Sequence, residues 1–245
     1  MIPIIVVLLA LTFIGVRYVL HKRFPDKFDK NWPQKDLTSG PFSDDYDGID
    51  ISHHQGKIRW YKLTNTDKIK FIYVKATEGT SVVDPWYNNY VDSVKASAIP
   101  VGAYLFMSKR SPALQFANFS AHYSKSNQDI LPVIDVEDDG TSGWDSERIR
   151  KNLKILASLM EGCYGEKPII YCSEKYYNDN LSPDFDDYIL WIAKYSSVRP
   201  VLKGDACYTI WQFSRHGRVK GIYNRTDLNR FAPGKSVEDI MFKDK

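Results

Sequence analysis

Residues 131–137, Leu-Pro-Val-Ile-Asp-Val-Glu, form an apolar run that ends in two carboxylates, Asp135 and Glu137. A β-rich run of this length reads as a strand buried on both faces. Side chains alternate along a strand, so positions i and i+2 point the same way and the two carboxylates share a face. At the carboxyl end of a barrel strand that face looks into the mouth, where barrel enzymes place their reacting groups. Two clustered carboxyls push their pKa values apart, so one holds a proton while its neighbour ionises. Glycoside hydrolysis needs that division: an acid for the leaving oxygen and a carboxylate for the oxocarbenium-like charge. The pattern alone leaves a second reading open, because Asp138 and Asp139 follow and the whole could be a solvated acidic loop.

Outward from this run, similar segments recur at 48–52, 70–76, 100–106, 168–172, 189–194 and 208–213, each a candidate strand. Helical spacing separates several of them. Trp86, Tyr90, Val94 and Ala98 precede Pro100, and Ile149, Leu153, Leu156 and Met160 follow a candidate Asp145 cap and precede Gly162 and Gly165. Alternating strand and helix implies parallel crossovers. The alternation stops after 194: residues 196–206 carry Pro200 and Gly204 and are too short for a crossover helix, and 214–219 reads as a hairpin connection with Gly217. The last strands are expected to be antiparallel. The fold class is therefore α/β, an irregular closed β/α barrel of about five βα units followed by three strands. No GxGxxG or Walker motif supports an open doubly wound sheet.

The composition fits a folded domain of this size: 245 residues, 43% hydrophobic, 26% charged, with 14 Gly and 12 Pro in no period. Formal charge is +3, and Arg17, Lys22 and Arg23 supply it from a segment without acidic residues. The neutral remainder offers no footprint for nucleic acid. Three cysteines, Cys163, Cys172 and Cys207, lack CxxC spacing and are read as buried free thiols, with a single bridge as the alternative in an oxidising compartment.

Residues 2–16 are uncharged and overwhelmingly apolar, and the run resumes at 18–20 before His21, Lys22 and Arg23. At about 15 to 19 residues it lies between a signal-peptide core and a spanning helix of about 20. The expectation is an apolar helix over residues 1–23 acting as signal anchor or signal peptide, in contact with a membrane. The lack of a small-x-small site favours an anchor, and the basic residues on its carboxyl side favour cytoplasmic retention by the positive-inside rule. Residues 24–46, with Pro25, Pro33, Gly40 and Pro41, read as a linker, residues 47–233 as the domain and 234–245 as a tail.

A third carboxylate, Asp50, ends the strand in Asp47-Gly-Ile-Asp50 and could enter the same mouth. The adjacent His53 and His54 cannot both point one way in a strand, so loop hydrogen bonding is favoured over metal ligation.

At this point the blocks add up. DGIDISHHQGKIRW (47–60), FIYVKATEG (71–79) with DPWYNNY, IPVGAYLF (99–106), LPVIDVE, KPIIYCS (167–173), LWIAKY (190–195), and IWQFS through GIYNRTDLNRF (210–231) resemble the glycoside hydrolase family 25 lysozymes, in that family's order. The resemblance covers the whole domain and implies a barrel that cleaves the β-1,4 bond between N-acetylmuramic acid and N-acetylglucosamine in peptidoglycan. It implies Glu137 as general acid and then base, and Asp135 as the group that stabilises positive charge at or beside the sugar. Asp50 and Asp227 complete the acidic set, with retention of anomeric configuration. Whether Asp135 attacks the anomeric carbon or steadies the substrate's own acetamido group is left open.

Tyr104, Tyr171, Trp191, Tyr195 and Trp211 are candidates to pack on sugar faces, with barrel core as the alternative; family position favours Tyr104 and Tyr171 as ligands. Lys75 and Glu78 read equally as a barrel ion pair or a substrate clamp. Leu105 stands where the family commonly has His after Gly-Ala-Tyr, an expected loss of a polar contact. The competing readings are a non-catalytic peptidoglycan-binding barrel, supported by Leu105, and a hydrolase of another N-acetylated glycan such as chitin. None of these roles calls for a cofactor or metal, since carboxylates supply proton transfer and charge stabilisation themselves. The expected partner is the peptidoglycan glycan strand, met outside the cytoplasm by a monomeric chain.

Overall fold

The apolar runs hydrogen-bond into one sheet in a computed structural model that describes residues 41–65 and 68–243. In chain order the strands are β1 (Gly48–Ile51), β2 (Phe71–Glu78), β3 (Val82–Val83), β4 (Val101–Phe106), β5 (Val133–Asp135), β6 (Ile169–Ser173), β7 (Leu190–Ala193), β8 (Tyr208–Gly217) and β9 (Thr226–Phe231). Their order is β1-β9-β8-β7-β6-β5-β4-β2-β3, and β1 also pairs with β2. That last pairing closes eight strands into a barrel, with β3 a short flap hydrogen-bonded to β2. β1, β5, β6 and β7 are buried on nearly every residue because barrel side chains cover one face and helices the other, hence the continuous apolar runs.

Among the described residues three helices of nine residues or more pack outside: α1 (Tyr87–Lys95), α2 (Pro112–His122) and α3 (Ser146–Tyr164). α3 starts where the sequence places it, with the Asp145 carboxylate accepting from Arg148 N at 2.8 Å. It ends at Gly165, whose φ of 85° is the left-handed conformation glycine adopts freely. Its buried face is Ile149, Leu153, Leu156, Ala157, Met160 and Tyr164, and Gly162 lies inside the helix.

Two expectations need correction. β7 and β8 are parallel, joined by residues 194–207 without a helix, so β9 alone among the barrel strands runs against its neighbours. The stretch 214–219 is no hairpin connection: β8 continues to Gly217, which pairs with Thr226. A Cβ on Gly217 would lie 2.4 Å from Leu228 Cγ, so the glycine serves close approach of the two strands rather than a turn.

The segment read as a tail packs on the barrel. Ile240 and Phe242 are buried, Leu131 N donates to Ile240 O at 2.8 Å, and Lys243 N donates to Glu166 Oε1 at 2.7 Å. At the other end Tyr46 is buried and Ser43 N donates to Arg218 O at 2.8 Å. The three cysteines are free, but Cys163 and Cys207 are exposed and only Cys172 is buried. The apolar segment 1–23 and linker residues 24–40 lie outside the described residues; no helix among those described is long and apolar enough to cross a membrane.

Candidate active site

Strand parity and barrel closure bring the acids together. Asp135 and Glu137 flank Val136, which is fully buried on the opposite face, so both carboxyls point into the mouth as their spacing requires. Asp50 on β1 and Asp227 on β9 are direct cross-strand partners in the antiparallel pair that closes the barrel. All four line one cavity of about 240 Å³ together with Tyr104, Val133, Tyr171, Trp191, Tyr195, Gln212 and Arg215. Trp191 packs against Tyr73 and Tyr171, with ring centroids 4.9 Å and 5.0 Å apart, and forms the floor.

A polar ladder fixes this layer. Gln212 Nε2 donates to both oxygens of Asp50, at 3.2 Å and 3.1 Å, and Asn229 Nδ2 donates to Asp50 Oδ2 at 2.8 Å. Asn229 is held in turn by Trp191 Nε1, 2.8 Å from its Oδ1. The other end of Gln212 accepts from the hydroxyls of Tyr171 at 2.8 Å and Tyr195 at 2.9 Å. Each amide group is thus used at both ends, which sets its orientation.

Burial pushes every acid of the set upward, because a carboxylate loses hydration there. Asp50 rises to about 6, with the donors from Asn229 and Gln212 opposing burial. Asp227 rises to about 8 through burial and then through the charge of Asp50, to which it is hydrogen-bonded, while Arg215 pulls it down. Asp50 holds the amide donors, so it is the ionised member of that pair and Asp227 the protonated one. Asp135 is raised by burial and then by Glu137, with Lys75 opposing. Glu137 is raised by burial, opposed by Tyr171, and raised further by Asp139, Asp50 and Asp138. Tyr171 has one hydroxyl proton, so an ionised Glu137 competes with Gln212 Oε1 for it. Buried Asp135 Oδ1 has no hydrogen-bond partner among the described residues.

The remaining sequence candidates separate. Tyr104, Tyr171, Trp191 and Tyr195 reach the cavity, Trp191 as floor and half-exposed Tyr195 as rim. Trp211 does not: its neighbour Gln212 faces inward, so Trp211 points to the outer side, where its Nε1 donates to Lys194 O at 2.9 Å. Lys75 and Glu78 form an ion pair at 2.7 Å and do not line the cavity, although Lys75 acts on Asp135 through its charge. Leu105 is fully buried and faces away from the cavity that its neighbour Tyr104 lines, so the polar contact expected there has no place to form. His53 Nδ1 bonds Asp84 Oδ2 at 2.8 Å, the loop role expected of it. Gln212, Asn229 and Arg215 join the site in addition to the sequence candidates. A polar residue within the apolar run Ile210-Trp-Gln-Phe213 is the signal that marks the first.

A closed barrel whose carboxyl mouth holds four acids with raised pKa values above an aromatic floor has the make-up of a glycoside hydrolase. The sequence profile of glycosyl hydrolases family 25 matches residues 49–222, and the chain belongs to that family. YegX of Escherichia coli (strain K12) is 33% identical over 199 residues, covering 79% of this chain and 71% of YegX. The autolytic lysozyme of Clostridium acetobutylicum is 30% identical over 187 residues, covering 76% of this chain and 56% of that protein. The solved structure of a family 25 glycosyl hydrolase from Bacillus anthracis superposes with a TM-score of 0.71 at 28% identity, covering 82% of this chain and 97% of that one.

Proposed function

We propose that this chain is an N-acetylmuramidase that hydrolyses the β-1,4 bond between N-acetylmuramic acid and N-acetylglucosamine in peptidoglycan, with retention. The observation that carries the reading is the meeting of Glu137, Asp135, Asp50 and Asp227 in one cavity at the barrel mouth. Family membership and the autolytic lysozyme among the relatives support it.

Glu137 is the general acid. It is half-buried and its pKa is raised, so it carries a proton to the glycosidic oxygen and then activates water as base. Asp135 faces the developing positive charge. Without a donor at its Oδ1, burial favours its neutral form; an N–H of the substrate's acetamido group bonded there favours the ionised form. Binding thereby moves the proton shared by the pair toward Glu137, and the same contact orients the acetamido oxygen for attack on the anomeric carbon. Asp50, fixed by Gln212 and Asn229, keeps one negative charge beside Asp227 and opposes ionisation of Glu137 before reaction.

The substrate lies outside the cytoplasm, so we assign the domain an extracytoplasmic site of action, with apolar residues 2–20 as its membrane tether or export signal.

The test is digestion of purified peptidoglycan by the full chain, borohydride reduction of the products and mass spectrometry of the new ends. Wild type is expected to yield muramitol ends and Glu137→Gln to lose about 10²- to 10⁴-fold in rate while keeping its fold. Full activity in a folded Glu137→Gln variant would remove Glu137 from the acid role.

A further inference from the structure

Residues 213–217 of β8 lie beyond its last pairing with β7, at Gln212, and pair with β9 alone as a two-stranded arm. The register of that arm is irregular from Gln212 to Ser214 and again from Ser214 to Gly217, and exposed Arg215 falls in the second irregularity. From there its side chain turns to the cavity, where it is the one cation lining the wall among the described residues.

The guanidinium rests on a platform that belongs to the site. Its carbon lies 5.2 Å from the ring centroid of Tyr195, and the Tyr195 hydroxyl donates to the same Gln212 oxygen that Tyr171 uses. The ring face attracts the cation through its quadrupole and leaves the guanidinium N–H groups available. Among the described residues those groups make no ion pair or hydrogen bond. Two further arginines of the same hairpin differ: Arg225 donates to His216 O at 3.1 Å, and Arg230 pairs with Asp45 at 2.7 Å.

Neutral sugars offer a guanidinium fork only uncharged hydroxyl and carbonyl acceptors, whereas a carboxylate pairs with it bidentately and by charge. On the muramidase reading, on which this inference rests, the substrate carries such groups on the muramic residue. They are the lactyl carboxylate where the peptide stem is absent and the stem's own acids where it is present. We propose that Arg215, held on Tyr195, is a specificity residue that binds a carboxylate on the muramic side of the scissile bond and so separates peptidoglycan from neutral N-acetylated glycans.

The test measures kcat/KM of the full chain and of Arg215→Gln and Arg215→Lys on three glycans. They are strands bearing stems, strands stripped by an amidase, and stripped strands whose carboxylates are converted to methylamides. Wild type is expected to prefer carboxylate-bearing strands about five- to tenfold over the methylamide, mainly through KM. Arg215→Gln should lose that preference and Arg215→Lys should keep part of it. Loss on stripped strands assigns the lactyl carboxylate, and loss on stem-bearing strands assigns a stem acid. An equal fall on all three glycans, or an equal shift of the pH profile on all three, would overturn the proposal by making Arg215 a counter-charge to Asp227 while leaving the muramidase reading intact. No cleavage of any glycan by wild type would overturn both.

Discussion

Replacing Gln212 by Met keeps the approximate volume of a buried side chain and removes all its polar contacts. Two acids then change in opposite directions. Asp50 loses the Nε2 donor it shares across both oxygens at 3.2 Å and 3.1 Å, and keeps Asn229 at 2.8 Å. A hydrogen bond to a charged group contributes about 1.5–3 kcal/mol, and a long shared one falls at the lower end, so ionising Asp50 becomes harder by about one pH unit. Tyr171 loses a neutral acceptor and turns its proton to Glu137, exchanging a bond of about 1 kcal/mol for a charge-assisted one about twice as strong. That eases ionisation of Glu137 by somewhat under one unit. The assay is kcat/KM between about pH 4 and pH 9, whose limbs report the apparent pKa values of the coupled cluster. The acid limb should rise and the basic limb fall, narrowing the bell from both sides. Thermal unfolding should show a loss of about 1–3 kcal/mol, which lowers Tm by roughly 2–4 °C per kcal/mol. A bell of unchanged width, or limbs that move together, would refute the claim that Gln212 divides charge between Asp50 and Glu137.

Asp227 is raised to about 8 and Asp50 to about 6 from an ordinary 3.8, so the folded protein binds their protons more tightly than the unfolded chain does. The stability they contribute is complete below about pH 4 and is lost as pH rises through 6 and 8. Asp227→Asn still donates to Asp50 and removes part of this slope, so its Tm should exceed that of wild type at pH 8 and approach it at pH 4; an unchanged slope would contradict the protonated assignment. Leu105→His should destabilise by about 2–4 kcal/mol in urea unfolding, because it buries an imidazole on the face away from the cavity. Tighter peptidoglycan binding without that loss would mean the side chain reaches the substrate.

The sequence carried most of the barrel because its strands are covered on both faces and therefore read as uninterrupted apolar runs. β9 escaped that signal. Its inward face begins with Asp227 and Asn229, which serve the site, so Thr226–Phe231 shows no continuous apolar face to read. α2 escaped too, since its fully buried face reduces to Gln115 and Phe119 on a segment that is otherwise half-covered or exposed. The parallel direction of β8 is hidden in the sequence because residues 194–207 return the chain from β7 without a crossover helix. Within the site the acids were legible from strand-end position and family blocks. Parity could have sorted the rest: with Tyr104 inward, Leu105 must face out, and an inward Gln212 sends Trp211 outward. What local sequence could not supply is which polar residue meets which across the barrel, since Asn229 and its partner Asp50 stand 179 positions apart.

The pairing of β1 with β9 also sets when the acidic cluster becomes complete. Asp50 is among the first described residues of the domain to be synthesised, yet its amide anchor, Asn229, and its acidic partner, Asp227, arrive with the last barrel strand. A chain still emerging from the ribosome, or clipped before Thr226, holds Asp50, Asp135 and Glu137 but lacks Asp227 and the Asn229 anchor of Asp50. The full acidic set is therefore a property of the finished barrel, completed by the last strand to be synthesised and absent from any chain that ends before Thr226.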